Sequence, residues 1–251
     1  MTAHTYDRIG RSYSRNRRAD PRIAAQIRAA VGDVISVLDL GAGTGSYELS
    51  LRGVIAVEPS RVMIAQRSAA AAPAAQAVAE ALPFGDQRFD AAIAILTVHH
   101  WRHFARGIDE MRRVSRHRVV VLTWDPEVFA ARFWFARDYL PEALEAEAKR
   151  KVATVDDVVA ALGRCRLEAV PVPHDCADGF FGAYWRRPAA YLDPEVRACI
   201  SACAELGEDT VRPAVERLAA DLSSGAWGRR YGDLLALDAI DLGYRLVIWS
   251  R

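Results

Sequence analysis

The chain has 251 residues, of which 51% are hydrophobic and 26% are charged, and its formal net charge is +1. This composition is typical of a globular protein with a sizeable core, and it excludes disorder, collagen and coiled coil as descriptions of the whole chain. The balance of 33 basic and 32 acidic residues argues against a dedicated nucleic-acid binder, which usually carries a strong basic excess.

The first half of the chain alternates short apolar strands with helical segments. Asp20 followed by Pro21 predicts the start of a helix, and Gly32 predicts its end. Strands are predicted over residues 34–40, 54–57, 89–96 and 118–124, with a weak strand near residue 77, and helices over residues 62–67 and 104–114. Strands that are apolar on both faces and alternate with helices predict an α/β fold with a largely parallel sheet.

The second half begins with a change in composition, because aromatic residues are concentrated between positions 129 and 140. A helix is predicted over residues 155–162 and a sixth strand over residues 167–172. Three helical segments follow, over residues 180–191, 196–206 and 211–222, before a final strand at residues 243–249. So much helix between two late strands predicts a cap over the C-terminal edge of the sheet.

No membrane or secreted protein is predicted. The longest strongly apolar run, residues 91–98, is far shorter than a membrane span. Four cysteines without a preceding secretory signal do not make a disulfide framework. Cys199 and Cys203 are four residues apart on a predicted helix, where packing in the core is favoured over metal binding. We therefore predict a cytoplasmic protein with no metal ion and no membrane partner.

The strongest chemical signal is a glycine-rich turn over residues 41–45, between the first strand and a predicted helix. Such a turn lets the backbone approach a ligand closely. Its spacing is G-x-G-x-G followed by Ser46, which differs from the dinucleotide fingerprint G-x-G-x-x-G. Asp39 would repel a pyrophosphate but suits a cationic ligand, and Glu58, at the end of the second strand, is placed to bind two ribose hydroxyls. The pattern indicates an S-adenosylmethionine site rather than a nicotinamide site.

In these stretches the sequence resembles the class I S-adenosylmethionine-dependent methyltransferases, and most of all the small-molecule branch that includes the ubiquinone and menaquinone enzymes. The resemblance implies a Rossmann-like seven-stranded sheet in the order 3-2-1-4-5-7-6, with the last strand antiparallel and helices on both faces. It places the helical cap between the last two strands. The matching stretches occur in the family's order and are residues 37–45, 56–60, 79–84, 89–90 and 111–114.

The resemblance also implies which residues hold the cofactor, S-adenosylmethionine, whose product is S-adenosylhomocysteine. Two glycines would pass under its methionine part, Glu58 would hold the ribose, and an arginine could pair with its carboxylate. The family often places Asp where this chain has Val78, so the adenine amine is expected to meet backbone or Glu80 instead. The expected cofactor-binding residues are Tyr13, Arg17, Asp39, Gly41, Ala42, Gly43, Glu58, Pro59, Met63, Ala79, Glu80 and Leu96.

Two histidines are candidate catalytic residues. His100 follows the fourth strand at the edge where the methyl group would be presented, and imidazole titrates near neutral pH. It could act as a general base, or it could pack beside the cofactor. His174, next to Asp175 beyond the sixth strand, could form a dyad with it or serve only local structure. Aromatic residues of the cap could likewise line a substrate pocket or only pack.

The predicted function is transfer of a methyl group to an O, N or C atom of a small molecule by direct in-line transfer. No nucleic-acid partner is expected, because the chain reads Thr97-Val98-His99 where amine-directed DNA enzymes carry a Pro-Pro-aromatic motif. The alternatives are a cofactor-binding protein of the same fold that does not methylate and, less favoured, a nicotinamide enzyme. The predicted segments are an N-terminal helical lid (1–33), a cofactor-binding domain (34–175), a helical substrate cap (176–241) and the final strand of the core sheet (242–251).

Overall fold

Seven strands form one sheet in the computed structural model, which describes residues 17–48 and 51–251. With two further strands that lie outside this sheet, the strands of the described residues are β1 Val37–Leu40, β2 Val54–Val57, β3 Ala74–Ala75, β4 Phe89–Ile95, β5 Ser115–Trp124, β6 Cys165–Ala169, β7 Val172–Pro173, β8 Ala239–Ile240 and β9 Tyr244–Ser250. Their order in the sheet is β3-β2-β1-β4-β5-β9-β6, and β7 and β8 form a separate two-stranded ribbon. Strand β9 is antiparallel to both of its neighbours, β5 and β6, so the predicted topology is confirmed.

Helices cover both faces of this sheet. They are α1 Pro21–Val31, α2 Arg61–Ala65, α3 Phe104–Val114, α4 Pro126–Arg132, α5 Pro141–Arg150, α6 Val155–Leu162, α7 Pro194–Ala198, α8 Ser201–Leu206, α9 Glu208–Ser223 and α10 Ala226–Tyr231. Short turns of 3₁₀-helix lie at Val98–His100, Phe181–Tyr184, Pro188–Leu192 and Gly232–Ala236, and one π-helical turn lies at Phe135–Tyr139.

Local signals explain the helix boundaries that the sequence predicted well. The Asp20 side chain accepts a hydrogen bond from the backbone of Arg22 at the start of α1, and Gly32 ends that helix at φ +79°. Helix α6 has the predicted bounds because Thr154 and Asp157 form a capping box. Two helical predictions were wrong. Residues 180–191 form two 3₁₀ turns rather than one helix, since Pro188 cannot continue the preceding turn. Residues 196–206 are divided between α7 and α8, because the backbone at Ile200 is extended.

The core consists of two clusters of buried side chains, one on each face of the sheet. In β1, Leu38 packs on the face covered by α3 and α6, whereas Val37 packs on the face covered by α1 and the cap. Alternate residues of a strand point to opposite faces, and both faces are covered here. This arrangement explains why the central strands are apolar throughout.

The helical layer over the C-terminal edge of the sheet is built from two separate parts of the chain, residues 126–150 and 176–236. The Trp134 indole donates to the Trp185 carbonyl oxygen at 2.8 Å, and the Tyr139 hydroxyl donates to Asp221 at 2.6 Å. We call this whole layer the cap. The domain boundaries predicted from the sequence stay a prediction, to which the structure adds that α4 and α5 pack with the later helices.

Three further features bear on the class of protein. None of the helices in residues 17–48 and 51–251 combines the length and the apolar character needed to cross a bilayer. The same described residues contain no group of three or more His, Cys, Asp or Glu side chains arranged to hold a metal ion. Cys199 and Cys203 are both buried.

Candidate functional site

The glycine positions of the turn after β1 pack too closely against the rest of the fold to carry side chains. Gly41 has φ +64° and Gly43 has φ +54°, both in the left-handed region that favours glycine. A Cβ atom at Gly41 would collide with the side chain of Thr97. The backbone amides of Gly41 and Ala42 both donate to the Val57 carbonyl oxygen, at 2.8 and 3.1 Å. The turn is therefore held between the ends of β2 and β4, where a ligand can meet bare backbone.

Glu58 ties this turn to the end of β2. The side chain is buried, its Oε2 accepts a hydrogen bond from the Gly43 amide at 2.9 Å, and its Oε1 accepts one from the Ser60 amide at 2.8 Å. A carboxylate can accept about four hydrogen bonds. The geometry is compatible with the expected ribose contact. Glu58 also stabilises the glycine turn through its hydrogen bond from the Gly43 amide.

Three buried carboxylates, Asp39, Glu48 and Glu58, lie near the turn, and the Arg67 guanidinium pairs with one of them, Glu48. Arg67 Nη2 lies 2.6 Å from both Glu48 oxygens, and Nη1 donates to the Gly43 carbonyl oxygen at 3.0 Å. Burial raises the pKa of Asp39 well above its usual range, and the charges of Glu48 and Glu58 raise it further, while Arg67 opposes them. Asp39 Oδ1 has no hydrogen-bond partner among the described residues. A buried site with this excess of acid suits a positively charged ligand and disfavours a phosphate.

The residues expected near the adenine come from two parts of the chain, one at the start of α2 and one before β4. Met63 is buried, and its Cε would lie 3.2 Å from a Cβ placed on Gly43, so it contacts the glycine turn. Pro59 directly follows Glu58, and its carbonyl oxygen accepts from Gln76. Ala79 is buried in the core cluster on the α3 face. The Glu80 carboxylate accepts from the His103 amide at 3.0 Å, just before α3.

A pocket opens at the carboxyl ends of β4 and β5 and is covered by the cap. One wall comes from the sheet edge, the other from α5, α8 and the turn at Phe181–Tyr184. Three residues predicted from the sequence, Arg17, Leu96 and His100, contribute to its lining. The lining residues are Arg17, Leu96, His99, His100, Trp124, Phe129, Glu147, Arg150, Phe180, Phe181, Ser201, Ala202, Glu205 and Tyr244.

The two adjacent histidines form part of this wall on the 3₁₀ turn after β4. The ring centroids of His99 and His100 are 3.8 Å apart. Burial lowers the pKa of His100 to about 4, and the positive charges of Arg150 and Arg17 contribute to that shift. Burial also lowers the pKa of His99 well below its usual range. Both rings are neutral at neutral pH, and a group with this pKa is a weak proton acceptor there.

His174 lies elsewhere, on the ribbon formed by β7 and β8. Its amide donates to the Asp238 carbonyl oxygen at 2.8 Å, and its Nδ1 is 3.1 Å from the same oxygen. The Asp175 carboxylate is 3.9 Å from Nδ1 and instead accepts from Arg22 at 2.7 Å. His174 is not among the pocket-lining residues. The catalytic role of His174 stays a prediction. Its contacts with the Asp238 carbonyl oxygen are of the kind that stabilise local structure.

Arg17 lies at the edge of the pocket and is anchored by a residue that sequence reasoning missed. Its Nε is 2.6 Å from Asp178 Oδ1, and the fully buried Asp178 also accepts from the Tyr47 hydroxyl at 2.9 Å. This cluster joins the N-terminal part of the chain, the segment after the glycine turn and the cap. Tyr13, the other residue expected at this end of the cofactor, lies outside the described residues.

Comparisons with known proteins bear on both the family and the cofactor. Residues 38–122 match a family described as a methyltransferase domain. A protein from Anabaena variabilis, assigned as a methyltransferase from an antibiotic biosynthesis pathway, is 36% identical with a TM-score of 0.87, over 94% of this chain and 99% of that one. An uncharacterised protein of Mycobacterium tuberculosis is 28% identical over 205 residues, which cover 67% of this chain and 74% of the relative.

A solved structure of lower identity shows the same fold. An S-adenosylmethionine-dependent methyltransferase of Thermotoga maritima is 19% identical, with a TM-score of 0.56, over 67% of this chain and 84% of that one. The cofactor of this family, S-adenosylmethionine, fits the acidic glycine-turn site, because it carries a sulfonium and an ammonium group and no phosphate. The chain therefore belongs to the class I S-adenosylmethionine-dependent methyltransferases, as its sequence, its sheet topology and its relatives all indicate.

Proposed function

We propose that the chain transfers the methyl group of S-adenosylmethionine to a small molecule held in the pocket beneath the cap. The observation that carries this proposal is the composition of the pocket, in which Leu96 at the end of β4 faces aromatic side chains of the cap. Small-molecule sites are typically concave, with apolar and aromatic walls and a few polar groups, and this pocket combines aromatic side chains with charged and polar ones. The cap covers it with helices α5 and α8, which disfavours a large polymer as the acceptor.

The residues around the glycine turn would hold the cofactor. Asp39 would face its positive charge, the glycine backbone would pass along its methionine part, and Glu58 would accept from the ribose hydroxyls. Met63 contacts the turn from the side where the adenine is expected. When bound, the cofactor supplies a methyl group that its sulfonium has already activated. The roles of Pro59, Ala79 and Glu80 at the adenine rest on the family resemblance.

The transfer itself would be direct and in line, to an O, N or C atom of the acceptor. The chain's task is then to align the two molecules and to exclude water. The aromatic walls serve that purpose, and an ion pair between Arg150 of α5 and Glu205 of α8 joins two helices at the pocket. A small-molecule acceptor, rather than nucleic acid, and a cytoplasmic location remain predictions from the sequence.

Thermal melting with S-adenosylhomocysteine, S-adenosylmethionine, NAD and NADP in parallel tests the site. A ligand present at about a hundred times its dissociation constant adds about 2.7 kcal/mol to the free energy of unfolding. We expect the melting temperature to rise with the two adenosyl ligands only. A rise with a dinucleotide instead would contradict the reading of the glycine turn.

Accumulation of S-adenosylhomocysteine then separates turnover from binding. The protein is incubated with S-adenosylmethionine and candidate acceptors, and the product is quantified by chromatography. Methylation of any small molecule supports the proposal. Tight cofactor binding without product across the set favours the alternative, a protein of this fold that binds the cofactor and does not methylate.

A further inference from the structure

Glu147 is a partly buried acid in the wall of the pocket, and none of the roles above uses it. It lies on α5 and lines the pocket together with Leu96 and His100, which come from the end of β4. Withdrawing a carboxylate from water is costly unless hydrogen bonds or an opposite charge compensate for the lost hydration. Its position opposite the end of β4, where the methyl group would be presented, makes Glu147 a candidate for contact with the methyl acceptor.

The charged groups facing Glu147 come from several elements. Arg150 on its own helix and hydrogen bonding from Trp124 on β5 favour its charged form, whereas Glu205 on α8 opposes it. Both cations of the pocket pair with other carboxylates, Arg150 with Glu205 of the same pocket wall and Arg17 with the buried Asp178. No ion pair in the described part of the chain includes Glu147. The remaining titratable lining groups are His99, His100 and Tyr244.

The pocket therefore contains two kinds of potential proton acceptor, and they differ in strength. The imidazole pair lies in the positive field of Arg150 and Arg17, which together with burial keeps the pKa of His100 at about 4. Burial acts in the opposite direction on a carboxyl group and raises the pKa of Glu147 to about 7. A proton acceptor works best when its pKa is near the operating pH. Of the groups in this pocket, Glu147 meets that condition.

The walls of the pocket indicate the shape of the acceptor. The ring centroids of Phe180 and Tyr244 are 4.9 Å apart, and the rings of His99 and Trp124 are 4.7 Å apart in an edge-to-face arrangement. Both pairs are edge-to-face, so the pocket offers ring faces and ring edges, with which an aromatic acceptor can make offset or edge-to-face contacts. Together, the aromatic side chains and the Glu147 carboxyl group suit a molecule that has an aromatic ring and a hydroxyl group able to donate to a carboxylate.

We propose that the methyl acceptor is a neutral hydroxylated aromatic molecule and that Glu147 takes the proton from its hydroxyl group. This inference rests on the proposed function. The acceptor oxygen forms a bond to the methyl carbon, the carbon–sulfur bond breaks, and its electron pair remains on sulfur. The hydroxyl proton passes to the Glu147 carboxylate, which afterwards releases it to water. Glu147 is thus assigned as a catalytic residue.

The acceptor class is tested by binding. Protein saturated with S-adenosylhomocysteine is titrated calorimetrically with 1-naphthol, 2-naphthol and resorcinol, and with their methyl ethers. We expect the hydroxyl compounds to bind at least about tenfold more tightly than the ethers, a difference of about 1.4 kcal/mol. Glu147→Gln should reduce this preference, because a hydrogen bond to a charged acceptor is the stronger kind. Glu145→Gln is the matched control, since Glu145 is an exposed residue of the same helix that lies near Lys149.

Two binding results would overturn the acceptor class. One is that none of the hydroxyl compounds binds while S-adenosylhomocysteine still raises the melting temperature, which leaves cofactor binding intact. The other is that the ethers bind as tightly as the hydroxyl compounds.

The proton role is tested separately from turnover by infrared difference spectroscopy. The protonated-carboxyl band of Glu147 should titrate near neutral pH, be absent in Glu147→Gln and persist in Glu145→Gln. With the tightest-binding hydroxyl compound, Glu147→Gln should lower kcat by about a hundredfold or more and flatten its dependence on pH, without changing the melting shift given by S-adenosylhomocysteine. Glu147→Asp should recover part of kcat. An unchanged kcat and pH profile in Glu147→Gln would overturn the assignment.

Discussion

Asp39, in its proposed role at the cofactor, would link cofactor binding to folding through one carboxyl group. Its folded-state pKa is raised by burial and by two neighbouring acids. A group whose pKa is higher in the folded than in the unfolded state favours folding at low pH, and that contribution is lost as pH rises through the folded pKa. The ligand-free protein therefore holds an ionised Asp39 at a cost in stability at high pH, and a positively charged ligand would offset that cost.

Replacing Asp39 by Asn removes both the cost of the buried negative charge at high pH and the attraction of that charge for a positively charged ligand. We expect Asp39→Asn to raise the melting temperature of the ligand-free protein more at about pH 8 than at about pH 5, because only the ionised carboxylate is penalised. The same variant should bind S-adenosylmethionine more weakly. Melting curves at the two pH values, together with calorimetric titration, check both statements. A stabilisation that is equal at the two pH values would contradict the electrostatic explanation.

Glu58 is the second residue whose effect on the cofactor can be measured directly. We expect Glu58→Ala to lose most of the affinity for S-adenosylhomocysteine, since the ribose hydroxyls would lose a charged acceptor. Because Glu58 also holds the Gly43 amide, Glu58→Gln, which keeps the shape, is measured beside it. Circular dichroism establishes that both variants fold. Undiminished affinity in folded Glu58→Ala would remove the ribose assignment.

At the scale of elements, the glycine turn depends on a contact with the segment that follows α2. Arg67 and Glu48 have side chains 6% and 2% exposed, and Arg67 also donates to the Ala72 carbonyl oxygen. Breaking a buried ion pair by removing one partner typically costs about 3–5 kcal/mol, because an uncompensated charge remains. We expect Arg67→Met to lower the free energy of unfolding by about that amount in urea titrations.

The matched control for this prediction is Arg61→Met at the exposed start of α2. Arg61 makes one exposed hydrogen bond to Gln76. Surface substitutions of this kind usually change stability by no more than about 0.5 kcal/mol. Equal losses for the two variants would show that the buried pair does not fasten the turn.

The same scale shows what the sequence could and could not predict. Strands β1, β2 and β4 and helix α6 follow from apolar periodicity and capping, which are local signals. The turn of residues 41–45 follows from glycine spacing. The partners of Glu48 and Asp178 lie far away in the chain, and no periodicity marks such a pair. Glu147 looks like any exposed acid of an amphipathic helix until α8 and the sheet edge cover it.

At the scale of the whole molecule, the cap and the sheet share one core. The cluster on the α1 face contains Ile93 and Leu246 of the sheet together with Trp134, Trp185 and Trp227 of the cap. Since the cap has no separate core of its own in the described residues, it cannot lose its packing while that face of the sheet remains intact. The two should therefore unfold together.

We expect a single cooperative transition in urea. Tryptophan fluorescence, to which the buried Trp134, Trp185 and Trp227 of the cap contribute, should follow the same curve as far-ultraviolet circular dichroism, which reports the helices and the sheet together. The midpoints from the two probes should agree within error, with and without S-adenosylhomocysteine. A fluorescence change at distinctly lower urea would show that the cap opens as an independent unit.

The position of β9 between β5 and β6 has a consequence for synthesis on the ribosome. Because β9 is translated after the whole cap, β5 lacks one neighbour and β6 lacks its only neighbour while the intervening helices emerge. Unpaired strand edges invite association with other chains. Tyr244, which completes the pocket wall, arrives with the same strand. A nascent chain released before β9 would thus carry the glycine turn but neither the complete sheet nor the complete pocket, so the site proposed for methylation comes into being only at the last step of assembly.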